Sequence, residues 1–133
     1  MIEDTREAIR QRIERFSALL TARDPAIVDE IWSPGFRLVG SEPGEIADSR
    51  EALVHLFGKL FARPVRYGFD FATFAVEANG ETAWLFAEGD LMATGADATD
   101  RFPYRLTAVF VRSGDGWRWR LFSGSEPAKP FAG

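Results

Sequence analysis

An α+β fold, with helices leading and a strongly curved antiparallel sheet following, is what this sequence predicts, on three observations. The hydrophobic period changes after Pro64 from helical spacing to strict alternation. Two hairpin signals, Asn79-Gly80 and Gly114-Asp115-Gly116, punctuate the alternating half. The helices are segregated from the long strands, which excludes a chain of βαβ units.

Ile9, Ile13, Phe16, Leu19 and Leu20 recur at spacings of three and four, so residues 3–22 form the first helix, with Asp4 or Thr5 as its expected cap. Asp24-Pro25 reads as the cap and first helical position of a short helix over 25–32, ended by Ser33-Pro34-Gly35. Residues 36–40 suit a short strand, which needs a sheet edge to pair with. Ser41-Glu42-Pro43-Gly44 is turn material. A third helix over 49–62 starts on Ser49 and buries Leu53, Leu56, Phe57, Leu60 and Phe61. Four strands follow, over 66–77, 81–94, 101–112 and 117–125, and the tail from Pro127 is a loosely held extension. An antiparallel sheet needs one face covered, and the three helices supply the cover.

A length of 133 residues fits one domain, 1–133, with its core over about 5–127. Hydrophobic residues make up 46% of it, which excludes a disordered chain. Aromatics reach 14%, twelve of them Phe, enough for a thick core, an apolar pocket or an interface. The net charge of −4 argues against a nucleic-acid partner. With no Cys and a single His, there is no thiolate nucleophile, and zinc or His-bound iron sites are not expected. The start, Met1-Ile2-Glu3-Asp4-Thr5-Arg6, lacks the apolar core of a signal peptide, and no apolar run reaches the roughly 18 residues of a membrane span. The expectation is a cytoplasmic protein with no membrane partner and no cofactor.

Three segments carry a family resemblance. Pro103-Tyr104-Arg105-Leu106-Thr107, then Gly116-Trp117-Arg118-Trp119, then Ser123-Gly124-Ser125-Glu126-Pro127 resemble the Arg-x-Thr strand, Gly-Trp hairpin and closing strand of SnoaL-like domains in the nuclear transport factor 2-like superfamily. Gly40 to Glu45 and Ser49 to Leu53 resemble that family's first-strand turn and third-helix start. The association domain of calcium/calmodulin-dependent kinase is similar in its last strand. The resemblance implies a cystatin-like cone, in which a bent sheet wraps the first helix and leaves a pocket at the wide end. It also implies a homodimer through the outer sheet face. It does not imply a reaction, because the superfamily holds isomerases, dehydratases, cyclases, hydrolases and non-catalytic adaptors. The closing-strand position that is often His in the family is Ser123 here.

Several residues are candidates for a site. In Trp84-Leu85-Phe86-Ala87-Glu88-Gly89-Asp90, alternation puts Trp84, Phe86, Glu88 and Asp90 on one face. Glu88 or Asp90, after two aromatics, has the setting of a general base with a raised pKa. The competing reading is an outer face, or an ion pair with Arg105 or Arg118. Arg105 suits a substrate carboxylate, or a structural pair with Glu88 or Asp90. Trp117 and Trp119 alternate with Arg118 and Arg120, which points to burial of the tryptophans. Ser123 and Ser125 fall on the Trp face by the same alternation, with no His to activate them. His55 falls off the apolar stripe of its helix, as a surface His does. Tyr67 and Tyr104 are the only phenols, and Tyr104 joins the ligand-binding candidates. Trp32 and Phe36 are pocket walls by the resemblance, or ordinary core. The set for a ligand site is therefore Trp32, Phe36, Trp84, Tyr104, Arg105, Trp119 and Ser123. Two functions remain open: a protein binding a small, partly apolar molecule with cofactor-free acid/base chemistry, and a non-catalytic dimerisation or ligand-sensing module.

Overall fold

The computed structural model describes residues 2–114 and 116–130. Helix α1 (Ile2–Ala22) buries Ile9, Ile13, Phe16 and Leu20, the stripe that its spacing predicts. It begins at Ile2, so Asp4 and Thr5 lie within its first turns and do not cap it. Arg23 ends it at φ 56°, the left-handed conformation that closes many helices. The guanidinium of Arg23 then donates to the carbonyls of Arg63 and Val65, tying this end to the chain after the third helix.

Asp24 forms a turn, accepting from the Ala26 N–H at 2.9 Å, and α2 (Ile27–Ile31) starts later than Pro25. Two short strands follow, β1 (Arg37–Val39) and β2 (Ile46–Ala47). Helix α3 (Arg50–Phe61) is capped as expected, the Ser49 hydroxyl accepting from the Ala52 N–H. The long strands are β3 (Arg66–Asn79), β4 (Thr82–Thr94), β5 (Thr99–Ser113) and β6 (Gly116–Ser125).

The sheet has six strands in the order β2-β1-β6-β5-β4-β3. Residues 46–47 were not expected as a strand, and β1 runs parallel to β6, so the sheet is mixed at that edge. Residues 36–40 thus find the pairing partner that their length requires. The β3–β4 hairpin turns at Gly80, φ 61°, as Asn79-Gly80 predicts. In the last hairpin, Ser113 pairs with Gly116, and Asp115 lies outside the described residues. Pro103 sits in β5 before the β6 pairing begins at Arg105, where its missing N–H breaks no ladder bond on that side.

Which face of the sheet looks inward is decided by α1. Leu85 and Ala87 of β4, Leu106, Ala108 and Phe110 of β5, and Trp117 and Trp119 of β6 are buried against the helices. Trp84, Phe86, Glu88, Arg105 and Thr107 share the opposite, exposed face. Phe16 is the hub of the inner layer. Its ring lies 5.2 Å from Phe122, 5.6 Å from Trp119, 6.0 Å from Phe69 and 6.2 Å from Phe57.

Two bulges break the alternation. On β3 the register shifts between Phe71 and Thr73. On β6, Leu121 pairs with Val109 while Trp119 pairs with Phe110, leaving Arg120 as the extra residue. The second bulge overturns one expectation. Beyond it Phe122 and Gly124 turn inward, while Ser123, paired with outer Thr107, leaves the Trp face.

The free edge of β3 is covered by polar groups of α1. Ser17 accepts from the Phe69 N–H, Thr21 donates to the Tyr67 carbonyl, and Arg6 donates to that of Phe74. Such cover keeps an edge strand from pairing with another chain. Phe16→Ala is expected to destabilise the protein by about 3–5 kcal/mol. Ser17→Ala should cost about 1 kcal/mol through the orphaned Phe69 N–H. Urea unfolding measures both.

Candidate functional site

A cavity of about 70 Å³ lies between α3, the C-terminal half of α1 and the inner face of the sheet. Its walls are apolar: Leu56, Phe57 and Leu60 from α3, Phe16 and Leu20 from α1, and Phe69 and Leu91 from the sheet. They gather there because α3 presents its stripe to a sheet face already filled with aromatics. A water needs about 10–15 Å³ of such space, and a dry cavity of about 150 Å³ admits benzene. The cavity is not sealed, so this volume is only part of the space that it opens onto.

One edge of the cavity is polar. The turn between β1 and β2 brings Ser41, Glu42 and Glu45, the end of α3 leads into Arg63, and β3 and β5 add Tyr67 and Tyr104. Arg63 donates to Glu42 at 2.8 Å and to the Tyr67 hydroxyl at 3.1 Å. These partners, Glu42 first, raise the Arg63 pKa above its ordinary value. The guanidinium stays charged.

Glu45 is held differently. Its carboxylate accepts from the Glu42 N–H at 2.9 Å, and its side chain lies across Gly40, where a Cβ would collide with it. Burial pushes its pKa up, the nearby charges of Glu42 and Glu126 add to the rise, and the Glu42 N–H and Arg63 oppose it. Among the described residues Glu45 has no ion-pair partner. Glu126 stands close by, accepting from the Ser41 hydroxyl at 3.0 Å. Tyr104 is 4% exposed, and its hydroxyl rests on Gly124, which leaves no room for a side chain there. Burial foremost, then the charge of Glu45, raises the Tyr104 pKa, so the phenol keeps its proton and can donate it in a hydrogen bond.

Of the residues expected at a site, only Tyr104 lines this cavity. Glu88 and Arg105 form an ion pair at 3.3 Å on the outer face, 53% and 49% exposed. Asp90 shares Arg101 with Asp70 on the same face. Both carboxylates stand among charged partners on the solvent side of the sheet, because α1 covers the opposite face. Trp84 is 40% exposed beside them. Trp119 and Phe36 are core residues, and Trp32 packs half-buried against that core away from the cavity. Ser123 points outward beyond the bulge. His55 is exposed on α3. Among the described residues no cluster of three or more acidic or His side chains is placed to hold a metal.

Ser41, Glu42, Glu45 and Arg63 escape sequence reasoning because turn residues carry no period. The one signal is the density of polar side chains in a short turn after a strand.

A raised folded pKa means that the native state binds the proton of Glu45 more tightly than the unfolded chain does. The contribution to stability is present below the ordinary Glu pKa and is lost as pH rises through the raised value. Glu45→Gln should therefore gain thermal stability relative to the parent at about pH 7 and not at about pH 4. Melting curves across that range check it; parallel curves would rule out a burial cost at Glu45.

The description of a SnoaL-like domain matches residues 9–129. A putative dehydratase of the NTF2-like family from Streptomyces avermitilis has a similar structure, with a TM-score of 0.81 at 16% identity, covering 97% of this chain and 100% of that one. An NTF2-like protein with a cystatin-like fold from Novosphingobium aromaticivorans gives 0.76 at 19%, over 94% and 83%. A putative calcium/calmodulin-dependent protein kinase II association domain from Xanthomonas campestris gives 0.76 at 15%, over 92% and 87%. Identities this low show the fold alone. No curated relative matches the sequence. The helices, the curved six-stranded sheet and the match over 9–129 agree: the chain belongs to the SnoaL-like domain family, with the NTF2-like, cystatin-like fold.

Proposed function

We propose that this domain binds a small, mostly apolar molecule in the cavity under α3, and that any proton transfer there runs through Glu45. The observation that carries the reading is an apolar cavity with one half-buried carboxylate and one buried phenol at a single edge. An apolar body with a few convergent polar groups and a perturbed acid is the usual make-up of a ligand site. Glu45 has the environment of a general base, and Tyr104 that of a hydrogen-bond donor to developing negative charge. A dehydration needs such a pair, and the Streptomyces protein described as a putative dehydratase shares this frame. Exposed Phe102, opposite the cavity wall residue Leu91, extends the apolar surface on that side of the sheet.

The outer sheet face supports a second reading, assembly into a homodimer. Trp84 and Phe86 are 40% and 43% exposed there. The charges around them are graded. Asp70, Glu77, Glu88 and Asp90 lie on β3 and β4, whereas Arg101, Arg105, Arg118 and Arg37 lie on β5, β6 and β1. A two-fold axis through the face would lay the acidic half of one copy on the basic half of the other.

Two experiments test these readings. In a heteronuclear NMR screen with C3–C6 aliphatic fragments, the amides of Leu56, Leu60 and Tyr104 should move together. Fragments that shift none of them would sink the ligand reading. Sedimentation should give a dimer, and Trp84→Glu with Phe86→Glu should give monomers of unchanged helix and strand content. A parent that sediments as a monomer would remove the dimer reading.

A further inference from the structure

The polar edge of the cavity is unbalanced in charge, and this bears on what fits it. Three carboxylates meet there, those of Glu42, Glu45 and Glu126, against the single cation of Arg63. Arg63 is held by Glu42 and Tyr67, so most of its charge is answered by Glu42, although its side chain stays 39% exposed. Glu45 has one carboxylate oxygen on the Glu42 N–H and no ion pair among the described residues. Glu126 has the Ser41 hydroxyl and likewise no ion pair. Glu45 is half-buried, so its carboxylate is only partly solvated. A carboxylate so placed is incompletely neutralised, and a ligand cation supplies the charge that it lacks.

Resting on the cavity reading above, we infer that the ligand is a small aliphatic amine, bound as its ammonium, with the alkyl group among Leu56, Leu60 and Phe57 and the charged head against Glu45. An ammonium offers three donors and no acceptor. That matches an edge whose Glu45 and Glu126 carboxylates have acceptor capacity left and no ion pair among the described residues. A carboxylate ligand meets the opposite: repulsion from two anions and an arginine already engaged. Arg105 is paired with Glu88 on the outer face, the structural alternative to a carboxylate ligand there. The cavity volume of about 70 Å³ favours a short alkyl group over a benzene-sized one, which needs about twice that. In this complex Glu45 is the counter-ion of the head group.

The test compares three near-isosteric probes, n-butylamine, 1-butanol and butyrate, by NMR titration at about pH 7. The amine should bind about tenfold more tightly than the alcohol, as a charge-assisted hydrogen bond requires, and butyrate should bind weakest. In Glu45→Gln the amine-to-alcohol ratio should fall to about one, and in Glu126→Gln it should fall partway. Alcohol binding in the same variants verifies that the cavity has survived. Alcohol or butyrate binding as tightly as the amine would overturn the charge assignment and leave the cavity reading standing. A preference for amine that persists in both variants would overturn it too. Failure of all three probes to shift Leu56, Leu60 or Tyr104 would instead overturn the cavity reading on which it rests.

Discussion

The packing of α1 into the inner face of the sheet is the constraint from which the rest of this structure follows. Phe16 touches rings from α3, β3 and both inward segments of β6, so one side chain holds four elements at fixed distances. The same helix settles the polarity of every strand. Side chains facing it lose water and those facing away keep it, which separates Leu85 and Ala87 from Trp84 and Phe86. It also covers the β3 edge through Ser17, Thr21 and Arg6, so its polar side has work as specific as its apolar side.

The cavity is what remains where α3 meets this filled face without closing on it. Its charge comes from a different source, the turn between β1 and β2. Among the contacts that hold that turn are Glu42 on Arg63, Ser41 on Glu126, the Glu42 N–H on the Glu45 carboxylate, and the Gly40 N–H on the Glu45 carbonyl at 2.7 Å. Each ties a residue of the turn to a partner that the fold, not the local sequence, puts there, or closes the turn on itself. The outcome is an apolar chamber with anionic character at one edge, where burial raises the Glu45 pKa and burial together with the Glu45 charge keeps Tyr104 protonated. Each is nearby, and a second ionised group beside Glu45 would be costly.

The two sheet faces divide the labour of the aromatic residues. Inside, rings stack and tilt on one another at 4.6 to 6.3 Å and exclude water. Outside, Trp84 and Phe86 stand among ion pairs such as Glu88–Arg105 and Asp70–Arg101. Exposed pairs of this kind contribute little to stability. Most of the acidic members lie on β3 and β4 and most of the basic ones on β5, β6 and β1, Arg66 of β3 being turned to the Thr21 carbonyl.

The sequence by itself determined the elements and their type. Periodic apolar residues set α1 and α3, Ser49 set the start of α3, and Gly80 and Gly114 at positive φ set the two hairpins. These signals are local, since a period or a cap is written within a few residues. It also carried the family, through the segments 103–107, 116–119 and 123–127. Only the tertiary structure decided which strand face is inside. A strand's alternation names two faces without saying which is buried, and aromatics at Trp84 and Trp119 favour either. The bulge at Arg120 is equally silent locally, yet it moves Ser123 outward and Gly124 beneath Tyr104. The site was hidden for the same reason. Glu45, Arg63, Tyr104 and Glu126 come from four separate stretches of chain, and their charges acquire meaning only at the distances that folding imposes.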